Sequence, residues 1–425
     1  MLKHLLFLFL LLMVPGFLLP AYGTYSIVAC DLQTRQCGVA VQTNNLAVGA
    51  SVPYAEAGVG AVASQFETNP NYGPFGLALL KAGKTPDETL SQLLKEDGNF
   101  DGEGIEARQV GIVALNGRST FYTGQEAANA SWAGGRSGRG YSIQGNGLVG
   151  PQVVEAMENT FLNTVGSLAD RLIAALVAGD AAGGQRTGRE SSALLVRTPD
   201  GFPIDIDLRV DHSSNPVGEL WKLYNMQSGR QQLIQAAIFI RKGQFEEGRS
   251  LMIAAVARAS DWPRVLIRAA ELAEQLEERQ LALQYITSAF SQSPAWALQE
   301  IGSGEYAELG ATPLFHHWVT AQQDQHALTA ALEVRATRSS KPEDYVRTAR
   351  MLLEVGRSQE ALTLLNSPEL SGDEKIAFLL ARAEAYLATG NNADSLKECR
   401  AAAAMAPDDM RIRRKIVRLQ QHLDQ

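Results

Sequence analysis

One residue of this 425-residue chain could carry a nucleophile and its own general base. Thr24 follows Met1 to Gly23, MLKHLLFLFLLLMVPGFLLPAYG, and opens the run Thr24-Tyr25-Ser26-Ile27-Val28-Ala29. Lys3 forms a short cationic head, and Leu5 to Leu19 is an apolar core interrupted by Pro15 and Gly16. Ala21 and Gly23 are small residues placed as a signal-peptidase cut requires. That cut would free the Thr24 α-amine, and a threonine that owns its amine needs no histidine to activate its hydroxyl. The bland alternative is that some residue must follow every signal, and threonine often does so by chance. The apolar run falls short of the ~20 residues that span a bilayer. Cleavage is therefore expected, leaving an exported, periplasmic or extracellular chain with no stable membrane span.

Other polar residues cluster where a site could form. Cys30 and Cys37 bracket a polar turn between two apolar runs. If those runs form a hairpin whose paired numbers sum to 67, Thr43 lies opposite Thr24 and the cysteines face each other near the tip. An oxidising compartment would then let them bridge, provided the cross-strand geometry suits. Asn44 and Asn45 follow Thr43 and could donate to a developing oxyanion, or simply end the strand. Ser64 and Gln65 close an apolar strand and are followed by Asn69 and Tyr72. Tyr141 to Asn146 (YSIQGN) reads as a strand entering a tight, amide-rich turn with Gln144 and Asn146. The loop Ala182 to Ala193 (AGGQRTGRESSA) carries Arg186 and Arg189, either of which could clamp a carboxylate or form a structural ion pair. It lacks the Gly-Lys-Ser/Thr of a P-loop. Gly135 to Arg139 is not a nucleophile elbow. His4 and His212 are the only histidines in the first 300 residues and His4 would depart with the signal, so a serine–histidine triad there is expected to use His212.

Two rhythms must position these residues. Up to about residue 225, strands, glycine-rich turns and helices alternate. Strands are expected at 24–30, 38–43, 58–65, 108–115, 119–122, 191–197 and 204–210. Helices are expected at 73–82, 85–95, 152–163 and 168–178. This pattern predicts helices packed on sheets. From about 229 the chain reads as entirely helical, with small residues 34 apart: Ala236 and Ala270, Gly248 and Ala282, Ala255 and Ala289, Ala327, Ala361 and Ser395, Ala349 and Ala383, Gly356 and Gly390. The two series are out of phase by 11 residues, which fits an insertion near Ala297 to Leu309. A 34-residue period marks tetratricopeptide repeats, here about five, with Met410 to Leu423 as a capping helix. Such a solenoid usually holds a protein or peptide partner, or packs on its own chain or a second copy as a homo-oligomer. The net charge of −8 and the absence of a basic patch argue against nucleic acid. Six histidines and three cysteines supply a zinc site poorly, and the adjacent His316-His317 pair would point in diverging directions on a helix. No metal or organic cofactor is expected.

The segments TYSIVACD (24–31), CGVAVQTNNLAVGASVPYAEAGVGAVASQ (37–65), NPNYGPFGL (69–77), RQVGIV (108–113), YSIQGN (141–146), AGGQRTGRESSALLV (182–196) and IDLRVDHSSNPVGEL (206–220) are collinear with a known pattern. With them the chain resembles the domain-of-unknown-function 1028 family of the N-terminal-nucleophile (Ntn) hydrolase clan. The resemblance implies an α+β fold, a four-layer αββα sandwich over 24–226, with Thr24 as nucleophile, followed here by an all-α tetratricopeptide-like solenoid over 229–425. Where family members often carry Ser-His or Ser-Lys, this chain has Thr43-Asn44. The expected catalytic group is Thr24 with Asn44, Asn45 and Asn146, and the expected substrate contacts are Ser64, Gln65, Asn69, Tyr72, Gln144 and Arg189. The expected reaction is hydrolysis of a small amide or peptide-like substrate. The competing reading is a catalytically silent module in a binding or assembly protein.

Overall fold

The computed structural model describes residues 23–129, 131–201, 204–297, 342–354, 356–366 and 376–408, with a few positions between 412 and 420. The expected signal peptide up to residue 22, the expected insertion beyond Ala297, His316-His317, Ala327 and most of the expected capping helix lie outside these residues.

Among the described residues ten strands follow in chain order: β1 (Thr24–Asp31), β2 (Gln36–Thr43), β3 (Pro53–Glu56), β4 (Gly60–Phe66), β5 (Arg108–Ala114), β6 (Ser119–Thr123), β7 (Trp132–Gly138), β8 (Tyr141–Leu148), β9 (Ser191–Arg197) and β10 (Ile206–Val210). Helices α1 (Tyr72–Lys81), α2 (Pro86–Lys95), α3 (Gln125–Asn129), α4 (Gln152–Asn163) and α5 (Leu168–Ala181) lie among them. One sheet runs β10-β9-β2-β1-β8-β7, the other β3-β4-β5-β6. The β1–β2 hairpin has the register that the spacing predicts, with Thr24 opposite Thr43 and Cys30 opposite Cys37. The two cysteines form a disulfide, their Cα atoms 4.1 Å apart.

The alternation along β1 assigns its two faces. Tyr25, Ile27 and Ala29 join a buried cluster with Met157 and Phe161 of α4 and Leu172 and Leu176 of α5. Val28 and Cys30 join another with Val39 and Val41 of β2 and Ala61, Ala63 and Val113 of the second sheet. That sheet buries Val62, Val110 and Ile112 on its other face against Tyr72 and Leu80 of α1 and Leu93 of α2. Thr85 starts α2 with a reciprocal cap: its Oγ1 accepts the Glu88 N–H at 3.3 Å, and Glu88 Oε2 accepts the Thr85 N–H at 2.8 Å.

One local expectation is corrected. Gln144, Gly145 and Asn146 are not a turn; β8 continues through them, pairing Gln144 with Ser26 and Asn146 with Thr24. Composition suggested a turn because amides and glycine favour one. The side chains instead find partners between the sheets, so the ladder runs on.

The chain divides into two compact units between Tyr224 and Asn225, within helix α6 (Pro216–Arg241). In the second unit the described residues form α7 (Phe245–Ala259), α8 (Pro263–Gln275), α9 (Arg279–Gln292), α10 (Pro342–Glu354), α11 (Ser358–Leu365), α12 (Ile376–Ala388) and α13 (Asn392–Met405). The described alanines and Ser395 of the 34-residue series are buried where the helices pack. Ala236, Ala270, Ala255, Ala289, Ala349, Ala383, Ala361 and Ser395 are all fully buried. The turns repeat on the same step. Gly243 and Glu277 have φ of 76° and 61°, and Gly356 and Gly390 have 76° and 79°. Glu277 alone of these occupies the left-handed region with a Cβ. Glu277→Gly is therefore expected to stabilise the helical unit by up to ~1 kcal/mol, read as a higher denaturant midpoint at unchanged slope.

Candidate functional site

The space between the sheets is apolar at the Cys30 end and polar at the Thr24 end, because β1, β4, β5 and β8 each place amides or hydroxyls there. Thr24 is 5% exposed. Its Oγ1 lies 2.9 Å from Thr43 Oγ1, which donates to the Gly23 carbonyl at 2.9 Å. A hydroxyl has one hydrogen, so Thr24 must be the donor to Thr43. The Gly23 carbonyl oxygen, two bonds from the Thr24 nitrogen, also accepts the Asn44 N–H at 3.2 Å and Gln185 Nε2 at 2.7 Å. Three converging donors are what an oxyanion site requires. On its other side Gly23 donates its N–H to Asn44 Oδ1 at 2.8 Å, and Asn44 Nδ2 donates to Thr187 Oγ1 at 2.6 Å.

Behind Thr24 runs a buried amide ladder. Ser26 Oγ donates to Gln65 Oε1 at 2.5 Å and accepts Gln144 Nε2 at 2.6 Å. Gln65 Nε2 reaches Gln109 Oε1 at 2.7 Å and the Thr24 carbonyl at 3.3 Å. Gln109 Nε2 donates to the Gly145 carbonyl at 2.9 Å, and Asn146 Nδ2 donates to Gln109 Oε1 at 2.8 Å. Gly111 makes room for this ladder; a Cβ there would fall 2.1 Å from Gln144 Oε1. Two buried oxygens beside Thr24, Asn146 Oδ1 and Gln185 Oε1, have no hydrogen-bond partner among the described residues, which is a costly condition that a further donor would relieve.

Thr24, Asn44, Gln65, Gln144 and Asn146 thus fall in one neighbourhood. Asn44 contributes its backbone N–H to the carbonyl, while its side chain holds the N–H of Gly23. Asn146 directs its donor to Gln109, not to that carbonyl. Asn45 is exposed; its N–H donates to Thr43 Oγ1 at 3.3 Å and its carbonyl accepts Ser191 Oγ at 2.6 Å. Ser64 Oγ turns to the Asn69 carbonyl at 3.5 Å. Asn69 and Tyr72 are taken up elsewhere. Asn69 Nδ2 and Tyr72 Oη donate to Asp97 Oδ2 at 3.1 and 2.6 Å, and the Arg108 guanidinium grips the same carboxylate at 3.0 and 3.2 Å. Arg108 and Asp97 side chains are 1% and 3% exposed. Burial pushes the Asp97 carboxyl up, and the bonds from Arg108, Tyr72 and Asn69 together outweigh that and hold it below its ordinary value. Burial, then the bond to Asp97, pushes the Tyr72 phenol upward. Arg189 Nε lies 2.7 Å from Asp180 Oδ1 as a structural ion pair; burial nevertheless raises the Asp180 carboxyl. His212 pairs with Glu190 and is largely exposed.

Sequence reasoning did not place Gln185 or Thr43 among the site residues. Gln185 is 6% exposed, bonded to the Gly23 and Gln42 carbonyls and bridged to Leu148 of β8. The one signal that could have found it was an amide in a glycine-rich loop returning to the sheet. Among the described residues no group of three or more His, Cys, Asp or Glu could hold a metal ion. No helix among them is long and apolar enough to cross a membrane.

Residues 24–220 match the model of a family of unknown function, DUF1028. A crystal structure of a DUF1028 protein from Silicibacter pomeroyi is 30% identical, with 48% of this chain and 88% of that chain covered and a TM-score of 0.43. The chain is also similar to a thermophilic tetratricopeptide repeat protein of Thermus thermophilus at 15% identity (45% of this chain, 99% of that one, TM-score 0.29). A repeat protein from Parabacteroides merdae aligns at 16% identity (47% and 74%, TM-score 0.32). Comparison with curated proteins finds no match.

Proposed function

We propose, for a chain that belongs over residues 24–220 to the DUF1028 family, that it is an exported amidohydrolase whose mature N-terminal residue, Thr24, is the nucleophile. The observation that carries this reading is the placement of Thr24. Its hydroxyl sits at the start of a central strand, beside a carbonyl held by three donors. The two sheets, each buried on its outer face by helices, support an αββα Ntn-type layering. Thr24 Oγ1 attacks the substrate carbonyl carbon; the α-amine takes the hydroxyl proton and delivers it to the leaving amine. Thr43 Oγ1, the Asn44 N–H and Gln185 Nε2 stabilise the oxyanion. Water then cleaves the ester and restores the hydroxyl. The freed amine, which keeps its lone pair for the hydroxyl proton, also has two N–H donors for Asn146 Oδ1 and Gln185 Oε1. The helical unit serves as a binding surface for a protein or peptide partner.

The test is the intact mass and N-terminal sequence of the protein from the envelope of its host, followed by labelling with an electrophilic amine- and hydroxyl-directed probe. A mature chain that starts at Thr24 and takes the label on that residue supports the nucleophile. A start elsewhere, or a retained leader, rejects it.

A further inference from the structure

We infer that the acyl half of the substrate is an N-acylglycyl group, so that the bond cleaved lies on the carboxyl side of glycine. This rests on the reading of Thr24 as nucleophile and adds what that nucleophile accepts. In the uncleaved chain the acyl group on the Thr24 nitrogen is itself a glycyl residue, and every polar atom of Gly23 is recognised. Its carbonyl takes three donors. Its N–H donates to Asn44 Oδ1 at 2.8 Å, an acceptor fixed from behind by the bond of Asn44 Nδ2 to Thr187. Its α-carbon has no room for an L side chain. A Cβ at position 23 would fall 2.8 Å from Gln185 Cγ and 3.0 Å from Gln185 Cβ, with the Asn146 carbonyl at 3.4 Å. Gln185 cannot swing aside freely, because its amide nitrogen holds the Gly23 and Gln42 carbonyls at 2.7 and 3.2 Å.

An acyl group on Thr24 Oγ1 occupies nearly the same place as one on the Thr24 nitrogen, since the two atoms are joined through Cα and Cβ and a single acyl carbon can bridge them. The cradle that fits Gly23 therefore fits the acyl-enzyme. The step balances without any co-reactant except water. The Oγ1–C bond forms, the C–N bond of the substrate breaks, and the hydroxyl proton leaves on the amine. Water then breaks the ester, the N-acylglycine departs as the acid, and Oγ1 regains its proton. Gln185 sets specificity at the α-carbon, and Asn44 Oδ1 selects for an N–H upon it.

The test uses the full mature chain beginning at Thr24 and the 4-nitrophenyl esters of N-acetylglycine and N-acetyl-L-alanine. Acylation is followed as a 4-nitrophenol burst, corrected for spontaneous hydrolysis, and as an adduct mass on Thr24. The glycyl ester is expected to acylate about 10- to 200-fold faster, the discrimination one carbon commonly produces in a shaped pocket. The N-methylated glycine ester should lose rate as well. Gln185→Ala should slow both acylations and narrow the glycine-to-alanine ratio. Equal rates for the two esters, with the adduct on Thr24, would overturn the glycyl assignment and leave the nucleophile standing. No adduct on Thr24 from either ester would overturn the nucleophile, and the glycyl assignment with it. If Gln185→Ala fails to fold, the ester comparison on the unaltered protein decides alone.

Discussion

Thr24→Ala is expected to reduce turnover by about 10⁴-fold or more, the range seen when a covalent nucleophile is deleted, while the protein stays folded. The methyl side chain still fits a strand whose neighbouring faces are filled by Tyr25, Ile27 and Val28. What disappears is the oxygen bonded to Thr43 Oγ1. Thr24→Ser should keep the chemistry, because a hydroxyl remains beside the amine. Blocking the α-amine should remove activity as fully as removing the hydroxyl, because the general base belongs to the same residue. The check is single-turnover acylation by the N-acetylglycine ester, with circular dichroism on each variant. Full activity in Thr24→Ala would sink the nucleophile and direct attention to the exposed His212–Glu190 pair or to a module without catalysis. The partner binding proposed for the helical unit should be indifferent to all three changes.

Asp97→Ala is expected to destabilise the sheet-rich unit by about 3–5 kcal/mol, the cost of stranding one member of a buried ion pair. Its unfolding midpoint should fall by about 10 °C. The loss is large because three side chains depend on this carboxylate. Arg108 would be left charged in a site that is 1% exposed, and Tyr72 Oη and Asn69 Nδ2 would lose their acceptor. Arg108 also donates to the carbonyls of Glu67, Phe100 and Glu103 at 3.0, 2.9 and 2.8 Å, so its loop should loosen too. The pH dependence has a definite sign. The folded state holds the Asp97 carboxyl below its unfolded value of ~3.9, so it binds fewer protons than the unfolded state. The stabilisation is present above that value and is lost as pH falls through the lower folded value. Asp97→Ala should therefore flatten the acid limb of stability against pH, measured by chemical denaturation between neutral and strongly acidic buffer. An unchanged acid limb would show that Asp97 is not the group titrating.

Some of this was open to reading because the patterns are short-ranged. Alternation in β1 separates Tyr25, Ile27 and Ala29 from Thr24, Ser26, Val28 and Cys30, since consecutive strand residues point to opposite faces. The polar turn between Cys30 and Cys37 fixes the hairpin register, and with it the pairing of Thr24 and Thr43. The 34-residue step of alanines reports buried packing positions, and that of Gly356 and Gly390 reports the left-handed turns between helices. Each signal lies within one element or between neighbours.

Thr24, Asn44, Gln65, Gln144 and Asn146 could be named in advance, but the remaining occupants of the site and the partners of each amide could not be read this way. Gln185 stands 162 residues from the Gly23 carbonyl that it holds, and nothing in its loop marks it above Arg186 or Arg189. Asn69 and Tyr72 look like Gln65 in composition, yet α1 and the turn before it direct them to Asp97 while β4 turns Gln65 to Ser26. Gln144 and Asn146 resemble a turn until the second sheet supplies partners that keep them in a strand. The sequence by itself determined the strand faces, the hairpin and the repeat, and singled out Thr24 at the head of β1. Only the tertiary structure decided which amides meet that threonine. A buried amide goes wherever packing first closes a hydrogen bond, and the partners that close it come from distant parts of the chain.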